Sequence, residues 1–164
     1  MNIVVEGNEC NFKTTVINKL NFKTGMPVVK GSSFEQSQCT EDELFTSFTK
    51  MLNKAHNTLF DRFIYSNLVY AHLYEDFAVI SDFDRRLIEN MMKRKNTKVI
   101  YLYSDVETIS KRIEERGDDY VEVSKVKAIN DRYEEVLDGI EHIRINTKYK
   151  SSDDIVDLVM NLLR

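Results

Sequence analysis

The sequence is poor in the residues that staple, bend or anchor a chain. Among its 164 residues are two cysteines, Cys10 and Cys39, and one proline, Pro27. Two cysteines cannot build a disulfide scaffold, and their spacing fits no zinc pattern, so two reduced thiols are expected. A single proline leaves the helices free to run long. No apolar run approaches the roughly 20 residues needed to span a bilayer. Met1-Asn2 leads straight into Ile3-Val4-Val5 with no basic region and no long apolar one, so no signal peptide is expected and the cytoplasm is the expected compartment. A basic excess is also lacking, since the net charge is −4. Proteins that live on nucleic-acid backbones carry a basic face to replace phosphate counterions, so a polymeric nucleic-acid partner is not expected. With no internal repeat, low-complexity run or linker, one domain over residues 1–164 is expected.

What is present is an ordinary globular composition, 42% hydrophobic and 30% charged. Short β-branched runs alternate with helical periodicity. Ile3-Val4-Val5, Met26 to Val29, Thr58-Leu59-Phe60, Val99 to Tyr103 and His142 to Ile145 read as strands. Helices are expected over Thr14 to Leu20, Glu41 to Lys54, Tyr65 to Tyr74, Phe83 to Arg94, Asp105 to Arg116 and about Glu122 to Leu137. A closing helix from Ser152 or Asp153 carries Ile155, Leu158, Val159, Leu162 and Leu163 on its apolar side. Thr40 with Glu43 three residues on forms a capping box, and Gly117 reads as a helix stop. Strands alternating with helices predict an α/β fold: a mainly parallel sheet of about five strands with helices on both faces. Ligands of such sheets bind at the carboxyl ends of the strands.

The first candidate site follows the first strand. Gly7-Asn8-Glu9-Cys10-Asn11-Phe12-Lys13-Thr14 places Gly7, Lys13 and Thr14 at three of the four fixed positions of the phosphate-loop pattern G-x-x-x-x-G-K-[ST]. Loop N–H groups and the N-terminus of the following helix make an anion cradle. A lysine at the loop's end reaches the β- and γ-phosphates, and the Thr14 hydroxyl completes the shell of a phosphate-bound Mg²⁺. Phe12 stands where the second glycine belongs and lacks glycine's backbone freedom. The plain alternative is a strand, a loop and a helix with a surface lysine.

Two later segments add to it. Asp61-Arg62 ends the third strand, where a carboxylate can hold a metal's water shell or take a proton, and an arginine fork can grip phosphate. Arg112 and Arg116 lie one helical turn apart and can face a shared anion, with Gly117 as a hinge. Each segment alone also reads as solvated surface with ion pairs. His56, His72 and His142 show no metal or triad spacing. Asn53-Lys54 lacks the following aspartate of a guanine-specificity loop, which argues against a GTPase.

Taken together, these blocks resemble the thymidylate kinase and deoxynucleoside kinase superfamily of P-loop kinases. The resemblance rests on Glu6-Gly7-Asn8 with Lys13-Thr14-Thr15, on Asp61-Arg62-Phe63 with the following Ser66 and Tyr70, on Arg112 to Tyr120, and on Arg132-Tyr133. It implies a three-layer fold and phosphoryl transfer from ATP with Mg²⁺ to a small nucleoside or nucleotide. By that resemblance Gly7, Asn8, Asn11, Phe12, Lys13, Thr14 and Thr15 would form the ATP loop, and Thr14 and Asp61 would serve the metal. Arg62, Tyr65, Ser66 and Tyr70 would meet the acceptor, while a lid over about 112–121 would bring Arg112 and Arg116 over the transferring group. A monophosphate acceptor of thymidylate kinase type is expected first, because it gives Arg62 a phosphate to hold. A nucleoside 5′-hydroxyl is the alternative, and a non-catalytic nucleotide-binding module closed by Phe12 is a third. Glu35 is a further candidate base. Relatives of this kind pair through helices, so a homodimer is an expectation of the resemblance.

Overall fold

The computed structural model describes residues 1–34, 37–117 and 122–162. Five strands form one sheet: β1 (Asn2–Glu6), β2 (Val28–Lys30), β3 (Leu59–Asp61), β4 (Thr97–Tyr103) and β5 (Ile143–Asn146). Their order is β2-β3-β1-β4-β5, and every neighbouring pair is parallel. The helices are α1 (Lys13–Thr24), α2 (Glu41–Lys54), α3 (Ile64–Leu73), α4 (Asp82–Arg94), α5 (Val106–Arg116), α6 (Val126–Leu137) and α7 (Ser152–Leu162). A 3₁₀ turn at Val123–Lys125 leads into α6, so this helix starts later than its periodicity predicts.

The expected five-stranded parallel sheet is therefore present, and strand alternation divides its core in two. Val4, Phe60, Val99 and Tyr101 face a cluster built with α2, α3, α4, α5 and α6. Ile3, Val5, Leu59, Ile100 and Leu102 face the opposite way, against α1 and α7. Successive strand side chains point to opposite faces, so near-continuous apolar strands are what two covered faces require. Among described residues, no helix is long and apolar enough to cross a membrane.

Local signals explain the element ends. Thr40 caps α2 in a complete capping box with Glu43. Asp105 accepts from the Thr108 N–H at the start of α5, and Gly117 closes that helix in the left-handed region at φ 67°. In α7 the burial differs from the expected stripe. Ile155, Val156 and Val159 are buried, whereas Leu158 and Leu162 are 40% and 55% exposed. The side of α7 that meets α1 is one residue-step round from the side the leucines mark. Leu163 lies outside the described residues.

The order of strands puts the ends of β1 and β3 side by side, and two glycines let the following segments fit there. At Gly7, φ is 143° and an added Cβ would lie 2.1 Å from the Leu102 carbonyl oxygen. At Gly31 an added Cβ would lie 2.2 Å from the Arg62 carbonyl oxygen and 2.9 Å from the Phe63 ring. Both carbonyl oxygens are backbone and cannot swing away. Gly31→Ala and Gly7→Ala should each cost about 2–3 kcal/mol of stability, the scale of overpacking a rigid site. Gly25→Ala, whose Cβ meets nothing within 4 Å, should cost only the left-handed strain of about 1 kcal/mol. Denaturant unfolding of the three variants checks this ordering; equal losses would contradict it.

Candidate active site

The loop after β1 and the turn after β3 open into one cleft of about 900 Å³. Glu9, Asn11, Phe12, Lys13, Thr14 and Thr15 line it from the first strand's side, and Asp61, Arg62, Ser66 and Tyr70 from the third's. The first turn of α1 faces this space with no acidic residue and no side-chain cap at Phe12. Its leading N–H groups are thus left for a ligand, and the helix dipole favours an anion there.

Lys13 is the first residue of α1 and is buried. Its ammonium bonds back to the Asn8 carbonyl across the loop. Burial, reinforced by the neighbouring Arg62, lowers its pKa to about 8, against the pull of Glu9, Asp61 and Glu6. Thr14 Oγ1 lies 3.5 Å from Asp61 Oδ2. This pair of hard oxygen donors beside the phosphate loop suits Mg²⁺, which keeps waters and substrate oxygens in most of its positions.

Phe12 adopts glycine's conformation. Its φ and ψ are 63° and 9°, and Cys10 is also left-handed at φ 53°. For an L-residue this region costs roughly 1–2 kcal/mol. The Arg112 guanidinium lies 4.6 Å from the centre of the Phe12 ring.

Opposite the loop, Arg62 also sits in the left-handed region, at φ 63°. Its guanidinium forms an ion pair with Glu9 and donates to Gly7 O at 3.3 Å, Ser66 Oγ at 3.4 Å and the Tyr133 hydroxyl at 3.3 Å. It also lies 5.0 Å from the Tyr70 ring centre. Burial works against the charge of Glu9, yet Lys13 and Arg62 hold its pKa down to about 2. Behind them is a second carboxylate, Glu6, completely buried at the end of β1. Glu6 accepts from the Phe63 N–H at 2.9 Å, the Ser66 N–H at 3.3 Å, the Ser66 hydroxyl and the Tyr133 hydroxyl. Burial raises its pKa, while these hydrogen bonds and Arg62 oppose the rise.

The remaining wall is aromatic. Tyr70, Tyr74 and Phe77 stack in succession, with ring centres 6.4 and 5.5 Å apart, and Phe34 tilts against Phe77 at 5.3 Å. Lys30, Ser32, Ser33, Asp76 and Arg116 complete the lining.

The structure thus gathers Lys13, Thr14, Thr15, Asn11, Phe12, Asp61, Arg62, Ser66, Tyr70 and Arg116 around one space, and it separates four others. Tyr65 is turned into the core, where Arg85 of α4 lies 5.9 Å from its ring centre, and it does not face the cleft. Asn8 points inward, donating to Val126 O and Asn130 Oδ1, and so ties the loop to α6. Arg112 reaches the back of the loop instead of the cleft. Gly7 serves the turn itself. Glu35 and the lid residues Asp118, Asp119 and Tyr120 lie outside the described residues. Sequence reasoning passed over Glu9; its signal was a carboxylate inside the phosphate loop, between the glycine and the lysine. Among described residues, no cluster of three or more His, Cys, Asp or Glu could hold a metal unaided.

Comparisons with known proteins agree with this geometry. The family model for deoxynucleoside kinases matches residues 32–162. The SPbeta prophage-derived uncharacterized protein YorR of Bacillus subtilis strain 168 is 38% identical over 163 residues, 98% of either chain. The crystal structure of YorR in complex with phosphorylated GDP superposes with a TM-score of 0.91 at 37% identity, covering 99% of this chain and 95% of that one. Deoxyadenosine kinase from M. mycoides with bound dATP shares the fold at a TM-score of 0.62 and 21% identity over 99% of both chains. Thymidylate kinase from Candida albicans does so at 0.61 and 16%, over 99% of this chain and 90% of that one. The chain belongs to the deoxynucleoside kinase family.

Proposed function

We propose that the protein transfers the γ-phosphoryl group of ATP to the 5′-hydroxyl of a deoxynucleoside, with residues 1–164 acting as one kinase domain. The observation that carries the donor half is the uncapped N-terminus of α1, open to the cleft with Lys13 buried at its first position. Loop N–H groups and Lys13 would hold the β- and γ-phosphates. Thr14 and Asp61 would hold Mg²⁺, which bridges phosphate oxygens and neutralises their charge. Arg116, from the end of α5, would face the transferring group.

The pairing of Arg62 favours a hydroxyl acceptor over a phosphate. Its charge is already met by Glu9, and its other donors go to Gly7, Ser66 and Tyr133. An incoming phosphate would have to displace an ionised carboxylate, whereas a hydroxyl can join the pair as a neutral partner. Its proton would pass to the cleft carboxylate of Asp61 as its oxygen takes the phosphoryl group. The aromatic wall of Tyr70, Tyr74 and Phe77 offers stacking area for the base. A monophosphate acceptor is the second reading, favoured by Lys30 and Arg116 on the same cleft. YorR was crystallised with phosphorylated GDP, so guanine forms belong among the acceptors tested.

Mg²⁺-dependent ADP release from ATP, measured with deoxynucleosides and their monophosphates of all four bases, tests this. Turnover with a deoxynucleoside is expected. Turnover with monophosphates alone would replace this reading with the second, and none with any acceptor from folded protein would overturn both. Lys13→Ala should lower kcat/KM by about 100-fold or more, the scale of one preorganised charge contact, with ATP binding weakened; activity within tenfold of the parent would remove Lys13 from the site.

The depressed Lys13 pKa makes a pH prediction. Only the ammonium grips phosphate, and the free protein loses that proton as pH rises through about 8. Phosphate binding favours the charged form and so raises the pKa. ATP affinity should therefore fall as pH rises from 7.5 to 9.5, and binding in that window should take up a proton. Calorimetric titration in buffers of different ionisation heat reads the uptake directly, and Lys13→Ala should abolish it.

A further inference from the structure

We propose that Arg112 is the positioning residue of the phosphate loop, and that it and Phe12 work as one paired element that lets phenylalanine take the place of glycine. The inference rests on the reading that this loop holds ATP phosphates.

The two halves of the guanidinium do different jobs. Its face covers the Phe12 ring, 4.6 Å from the ring centre. Its edge donates from Nη1 to Cys10 O at 3.2 Å, Asn11 Oδ1 at 3.4 Å and Thr147 Oγ1 at 3.0 Å, and from Nη2 to Thr147 O at 2.8 Å. One side chain thus touches three consecutive loop residues, two of them left-handed. Thr147 carries the hold into the sheet. Its hydroxyl donates to Asn11 Oδ1 at 2.8 Å, and its N–H donates to Tyr103 O at 2.9 Å at the end of β4. Thr147 and Asn11 are completely buried, so this bracket is fixed.

The chemistry requires arginine. A planar guanidinium can stack on a ring and donate from its edge at the same time, and an ammonium cannot. A glycine loop reaches the left-handed region without steric cost. A phenylalanine loop needs a partner that rewards the ring for being there. Arg112 supplies that partner from behind the loop, while Arg116, one turn on, lines the cleft. The two arginines of α5 therefore divide the work, one shaping the donor site and one facing it.

The test is a double-substitution cycle read by ATP binding, with kcat, KM and melting temperature measured beside it. In the natural loop, Arg112→Ala should weaken ATP binding by about tenfold or more and raise KM for ATP more than it lowers kcat. In the Phe12→Gly background, the same substitution should weaken it by no more than about threefold, because glycine needs no bracing ring contact. Arg112→Lys, which keeps the charge but not the plane, should behave like Arg112→Ala. Phe12→Leu, which keeps the strain but loses the ring, should weaken ATP binding in a protein that still carries Arg112. If Arg112→Ala does not fold, Arg112→Lys carries the same comparison. Equal losses in the two loop backgrounds would overturn the pairing. A fall in kcat with KM unchanged would overturn it too, and would put Arg112 at the transferring phosphoryl group. Lys13→Ala serves as the control: if it leaves ATP binding intact, the donor-site reading itself fails, whereas its loss with Arg112→Ala unaffected would sink only this inference.

Discussion

The cleft depends on one buried carboxylate. Glu6 ends the central strand β1 and receives hydrogen bonds from the first turn of α3 and from Tyr133 of α6. A carboxyl group that far from water is tolerated only with its polar atoms hydrogen-bonded. Four donors meet that demand, and in meeting it they draw α3 and α6 to one point. Phe63 and Ser66 are pinned by their N–H groups, so the turn at Arg62 that leads into them has little freedom. The left-handed backbone of Arg62, and Gly31 packed against its carbonyl oxygen, follow from that constraint. Removing the Glu6 carboxyl group would loosen the placement of Arg62 before it touched the phosphate loop.

The phosphate loop is held by a separate set of contacts. Asn8 ties its start to α6, and Arg112 with Thr147 ties its middle to α5 and to the segment after β5. Elements far apart in sequence thus share the job of shaping the six loop residues from Gly7 to Phe12. This is the expected behaviour of a site that must present N–H groups at fixed positions. Since an ordered loop needs no reorganisation when phosphate arrives, such bracing lowers the cost of binding.

Much of the fold was legible because the signals are local. The β-branched run Val99 to Leu102, the capping box at Thr40 and the glycine stop at 117 each state one element in a few residues. The placement of Lys13 and Thr14 at the start of α1, and of Asp61 and Arg62 at the end of β3, followed from where those elements begin and end. What the sequence did not carry was direction around an axis. Spacing of four residues shows that Arg112 and Arg116 are neighbours, and it is silent about which one meets the loop. The same blindness turned Tyr65 toward the acceptor and counted Leu158 and Leu162 as buried. Periodicity reports a face; the partner that covers it comes from the order of strands, which is a tertiary fact.

Charge pairing within the cleft shows why Glu9 belongs to the site. Lys13 and Arg62 both bear on the cleft, and without a nearby carboxylate each would repel the other at short range. Arg62 in fact lowers the Lys13 pKa, and Glu9 raises it. Glu9 lies between them in its effect, paired with Arg62, hydrogen-bonded to Tyr70 at 3.3 Å, and ionised throughout the neutral range. It keeps the two cations compatible in the empty cleft. On the proposed function, phosphate entering beside Lys13 would take over that stabilisation and leave Glu9 committed to Arg62 at the acceptor side. On that reading, a single loop carboxylate would separate a donor region that needs net positive charge from an acceptor region that does not.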